Sequence, residues 1–145
     1  MEPISVIRDQ DIRAALGEGR QYLAGALSEP QALRHLHDDE LEVGISAYPV
    51  DTLDAPHRHE RAREYQFVIA GRIDILELDS GTEHRLGAGD FYVIERGTAY
   101  AQRAAAGTKV LFWKNPGGND KVPVELTSEQ RAWQHLPRAA WGASR

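Results

Sequence analysis

The chain has 145 residues, a formal charge of −5, 41% apolar and 27% charged side chains, and no cysteine. That suits one domain with one sizeable core. It excludes disulfides and thiol chemistry, so any metal must be held by His, Asp, Glu or Tyr. Acids and bases are interspersed, which speaks against a nucleic-acid partner, and no apolar run approaches the ~20 residues that span a bilayer. The stretch MEPISVIRDQD has no apolar signal-peptide core, so a cytoplasmic location is expected.

Residues 9–19 predict a short helix, with Asp9 or Asp11 as N-cap and Gly17 or Gly19 as stop. QYLAGAL reads as a strand and Ser28–Glu29–Pro30 as a turn. From Leu41 the period is clear. Leu41, Val43, Ile45 and Ala47 alternate with Glu42, Gly44, Ser46 and Tyr48, which is strand spacing. Pro49 and Pro56 are expected to bracket a loop. EYQFVIA is strand-like, Gly71–Arg72 makes a tight turn, and IDILEL is expected to return as its partner. DSGTEH is another turn, with Gly81 free to adopt positive φ. FYVIE, AYAQRA and KVLFW follow as strands. NPGGNDK breaks the pattern and is expected to end the barrel. TSEQRAWQHL predicts a C-terminal helix with Thr127 or Ser128 as cap. Many short strands with helices only at the ends indicate an all-β sandwich or barrel.

One stretch carries chemistry. His57 and His59 stand two apart, so on a strand they project to one face, and Glu64 follows a short charged turn. If the chain folds back there, Glu64 joins them from the neighbouring strand. Two imidazoles and a carboxylate then leave open positions for water, substrate or oxygen. The bland alternative is a solvated polar turn. Gln66 shares the parity of Glu64 and is expected to face the same interior, with Tyr48 a further candidate. Arg103 has the opposite parity to Tyr100 and is expected to face outward. Arg58, Arg61 and Arg63 read as a solvated basic rim. A second His-x-His, His35 and His37, is followed by acids but by no supporting glycines and reads as a solvated turn. His84 and His135 read as ordinary surface residues. Trp113, Trp133 and Trp141 are candidates for core or interface packing.

His57, His59, Glu64 and Gly71 fit the first motif of the cupin superfamily: His-x-His, four residues, Glu, six residues, Gly. Asp51 stands where that motif usually begins with glycine. GDFYVIERGTAY resembles the second motif, with Gly89 and Gly97 in place, Glu95 instead of proline, and Tyr100 instead of the metal-binding histidine. The resemblance spans roughly residues 41–113. It implies a cupin double-stranded β-helix, a jelly-roll barrel with short terminal helices. It also implies one domain over residues 1–145, with a barrel core at 41–113, an N-terminal arm at 1–40 and a C-terminal loop and helix at 114–145. A homodimer is the family's usual state.

The resemblance further implies a divalent metal (Zn, Fe or Mn) on His57, His59 and Glu64. For Tyr100 three roles stay open: metal ligand, hydrogen-bond partner of a metal-bound group, or interior filler. Two function classes follow. The first is a metal-dependent enzyme of isomerase, cyclase, lyase or oxygenase type acting on a small polar metabolite, with Tyr100 and Glu64 as catalytic groups and Gln66 and Tyr48 in the substrate pocket. The second is a non-catalytic cupin that binds or senses a small ligand.

Overall fold

The computed structural model of the chain describes residues 2–17 and 19–143. Helix α1 (Asp9–Leu16) is followed by ten strands. These are β1 (Gln21–Ala24), β2 (Glu42–Tyr48), β3 (Thr52–His59), β4 (Arg63–Ala70), β5 (Arg72–Glu77), β6 (Glu83–Gly87), β7 (Phe91–Ile94), β8 (Tyr100–Ala104), β9 (Thr108–Asn115) and β10 (Lys121–Pro123). Helix α2 (Ser128–Gln134) and a 3₁₀ turn at Arg138–Ala140 follow. Two five-stranded antiparallel sheets form, in the orders β1-β2-β9-β4-β7 and β10-β3-β8-β5-β6. This is the expected all-β jelly roll with short terminal helices. The sheets draw on β1 and β10, which lie outside residues 41–113.

Three expectations need correction. The stretch between Pro49 and Pro56 is not a loop, because β3 runs through it to His59. Its pairing with β8 slips between Asp54 and His57, where Pro56 sits without an N–H to give to a ladder. The strand 72–77 does not pair with its predecessor either. β4 pairs with β7 and β9, while β5 pairs with β6 and β8 in the other sheet. Glu64 therefore faces the histidines from the opposite sheet. The Gly71 turn makes the crossing possible. Its φ is +88°, and a Cβ there would collide with Thr108. Lastly, the N-cap of α1 is Arg8, which has no side-chain capping bond, and Asp9 pairs with Arg13 one turn on.

In sheet β1-β2-β9-β4-β7 the two faces are unlike. Cross-strand register places Val43, Trp113, Tyr65 and Val93 in one row, and Ile45, Leu111, Phe67 and Phe91 in the next. These rows form the outer face. The inner face carries Ser46, Tyr48, Glu64 and Gln66, which line a cavity. A half-polar interior is what a barrel with an occupied centre requires. The other half is closed by Val68, Ile73, Ile75, Ile94, Ala104 and Val110, with Tyr100 at the boundary.

The outer face of the second sheet is covered by the C-terminal segment. The expected capping box forms at Thr127 and Gln130. Arg103 does point away from the barrel interior, yet it is only 1% exposed. Its guanidinium bonds Asp74 and the Trp133 carbonyl, and stacks on Trp133 and Trp141 at 4.2 and 4.6 Å.

Candidate active site

His57 and His59 reach the interior from the end of β3, with ring centroids 4.9 Å apart and planes near perpendicular. Tyr100 opens β8 directly opposite His57, and Glu64 enters from β4. The Tyr100 hydroxyl lies 3.0 Å from His57 Nε2 and 3.2 Å from Glu64 Oε2. Glu64 Oε2 is 3.8 Å from His59 Nε2. The structure thus brings His57, His59, Glu64 and Tyr100 together around one point.

The protons can be placed by elimination. His57 Nδ1 is 2.7 Å from the Ala55 carbonyl, which can only accept, so Nδ1 carries the proton and Nε2 presents a lone pair. His59 Nδ1 is 2.7 Å from Asp120 Oδ1. Hydrogen bonds from His59 and from the Ala62 and Arg61 amides overcome burial and hold the Asp120 carboxyl down to about 2. Asp120 is therefore an acceptor, His59 Nδ1 donates to it, and His59 Nε2 points the other way, toward Glu64. That Nε2 is buried and has no hydrogen-bond partner. Burial pushes the Tyr100 hydroxyl well above its usual value, and the neighbouring Glu64 adds to the shift, so it stays protonated at neutral pH. Burial also lowers His57, which favours its neutral form.

Two imidazoles and a carboxyl converge, with the Tyr100 hydroxyl among them. A buried polar atom left without a partner, such as His59 Nε2, is costly. The donor types, imidazole and carboxylate, are those that bind divalent ions. Each imidazole is oriented through its other nitrogen by a carbonyl or carboxylate, the arrangement that fixes metal-binding histidines. Among the described residues no group of three or more His, Asp or Glu side chains is placed so that it could hold a metal ion. The Tyr100 hydroxyl bridges His57 and Glu64 instead.

A cavity of about 200 Å³ opens beside this cluster. Gln66 and Tyr48 line it as expected, Gln66 accepting a bond from Tyr92 and Tyr48 donating to Asp54 at 3.3 Å. Gln102 donates to the same Asp54 oxygen at 2.5 Å. Residues that the motif reading missed also contribute. Asp120, in the loop before β10, ties His59 and the Arg61 and Ala62 amides together. Gln134 of α2 donates to the carbonyls of Asp54 and Gln102 where β3 and β8 slip. Arg20 and Lys121 line the mouth. Asp120 left the only trace in sequence, an acid inside a Gly/Pro loop. Other residues read as surface features stay outside the site. His37 pairs with Asp39, His84 with Glu77, and Arg63 with Glu95.

The model of the cupin domain family matches residues 44–113, a span that includes both motifs. The chain belongs to the cupin superfamily. Solved cupin-like structures resemble it at a TM-score of 0.53. KdgF from Halomonas sp. is 22% identical, over 70% of this chain and 80% of that one. The polyketide cyclase RemF from Streptomyces resistomycificus is 16% identical, over 69% and 71%. A Streptomyces Pac13 variant with uridine is 18% identical, over 63% and 74%, and Pac13 is described as a nucleoside dehydratase. Likeness at these identities concerns the fold. No curated protein sequence matches the chain significantly. No helix among the described residues is long and apolar enough to cross a membrane.

Proposed function

We propose that this cupin is a metal-dependent enzyme that moves protons on a small polar metabolite, as an isomerase, lyase or cyclase does. The observation that carries the reading is the buried, unpartnered His59 Nε2 facing Glu64, beside the lone pair on His57 Nε2. His57, His59 and Glu64 would hold the ion. A Zn, Fe or Mn ion bound there supplies Lewis acidity toward a substrate oxygen. The chain's own residues do the rest. Asp120 and the Ala55 carbonyl fix the two rings, Tyr100 keeps a proton to give, and Gln66 and Tyr48 orient the bound molecule. Neighbours in fold that are named as a cyclase and a dehydratase are in keeping with such chemistry.

A second reading, a cupin that binds a small ligand without turnover, is favoured by the Tyr100 bridge between His57 and Glu64. The two separate on a substrate screen with wild type and Tyr100→Phe. Turnover that needs added metal and falls ~10²-fold in the variant supports the enzyme. Saturable ligand binding with no product supports the second reading. Cytoplasmic action and a homodimer belong to the same proposal. For the dimer, the support is the aromatic outer face, where Tyr65 and Trp113 stack at 5.4 Å and Phe91 is 54% exposed. Light scattering of Phe91→Lys tests it: the wild type should be dimeric and the variant shifted toward monomer.

A further inference from the structure

The cavity's mouth carries two cations that the cluster does not use. Arg20 stands just before β1 and Lys121 opens β10, so they flank the mouth from the edge strands of opposite sheets. Arg20 is held in place. Its Nε donates to Ser46 Oγ at 2.9 Å, and its guanidinium lies 4.9 Å over the Phe112 ring. That ring in turn lies against Gly44, where any Cβ would collide with it. The fork is thereby fixed, with the Tyr48 hydroxyl beside it.

Among the described residues, no carboxylate lies within ion-pair distance of Arg20 or Lys121. Other cations near the site are paired. Lys114 meets Glu42 at 3.1 Å, and Arg63 meets Glu95. The cavity's own acids, Asp54 and Glu64, offset part of the charge on Arg20 and Lys121 from farther off and hold other partners. Asp54 is taken by Gln102 and Tyr48, and Glu64 by Tyr100. The ammonium of Lys121 is lowered by burial and then by the positive charge of Arg20, so the two feel each other across the mouth. Two like charges held in a concavity cost free energy unless an anion sits between them.

We infer that Arg20 and Lys121 form an oxyanion-binding pair, and that the molecule taken into the cavity is a small carboxylate whose other end faces His57, Glu64 and Tyr100. A guanidinium edge accepts a carboxylate through two parallel hydrogen bonds. The cavity of about 200 Å³ is small, which suits a small molecule. The inference deepens the proposed function and rests on it only for what happens at the far end.

The test is titration of chelator-treated protein with butyrate and with butyramide, its uncharged near-isostere, followed by amide NMR shifts. Butyrate should bind at least about tenfold more tightly than butyramide. Arg20→Met and Lys121→Met should each weaken butyrate about tenfold or more, Arg20→Lys should lose less, and thermal melts should stay close to wild type. Equal binding of the amide, tighter binding of inorganic phosphate, or full butyrate affinity in both Met variants would overturn the inference. A parallel Zn²⁺ titration keeps the two claims apart. Butyrate selectivity without metal binding sinks the proposed enzyme and leaves this inference standing, and metal binding without selectivity does the reverse.

Discussion

The chain holds two His-x-His pairs, and only one is a site. His35 and His37 lie in the segment between β1 and β2, and the His37 side chain is 67% exposed against an exposed Asp39. His57 and His59 end a strand inside the barrel, and the His59 side chain is 2% exposed. The difference is not the histidines but what holds their second nitrogens. The Ala55 carbonyl and Asp120 fix both inner rings so that their Nε2 atoms face the same interior. His37 already pairs with Asp39 at an exposed position, so nothing there demands an ion.

The comparison can be broken by substitution. The largest effect is expected at the inner pair: His59→Ala or His57→Ala should cut Zn²⁺ affinity by several orders of magnitude in calorimetric titration, while His35→Ala with His37→Ala should leave it unchanged. A next, smaller effect is expected at the orienting acid. Asp120→Asn should weaken metal about 10- to 100-fold, as loss of a histidine's orienting partner does. The same residue carries an acid-stability prediction. Its folded value of about 2 lies below the ordinary 3.8, so its contribution is complete above pH ~4 and is lost as pH falls toward 2. Acid unfolding of Asp120→Asn should therefore be shallower than that of wild type through that window. Weaker again, Tyr100→Phe should keep the melting temperature within a few degrees, whereas Tyr100→His should raise metal affinity by adding a third imidazole. The smallest effect is spectroscopic. His57 is lowered by burial, so in metal-free protein its NMR titration should fall below the ordinary 6.5. Stability tied to that ring is present above 6.5 and lost as pH drops through the lowered value.

Local features were legible in the sequence. Alternation along Leu41–Tyr48 and the turn at Gly81 predicted real elements, and Thr127 with Gln130 predicted a real cap. The spacing of His57, His59 and Glu64 named residues that the fold brings together, with Tyr100 beside them. What failed was sheet membership. A glycine turn such as Gly71 reads the same whether the next strand pairs with its predecessor or crosses to the opposite sheet. β3 was hidden because Pro56 reads as a loop marker, though it sits at an irregular pairing that needs no N–H. The parity of Arg103 was readable but its burial was not, because the segment that covers it lies some thirty residues downstream. Asp120 is 61 positions from His59, and no local pattern links them.

The central claim is that the inner cluster takes a divalent ion on His57, His59 and Glu64. Elemental analysis of protein purified without a histidine tag tests this most directly, alongside the His59→Ala and His37→Ala variants. The account predicts close to one Zn, Fe or Mn per chain in wild type and His37→Ala, and none in His59→Ala. A wild-type protein free of metal that also binds none when titrated at neutral pH would contradict it.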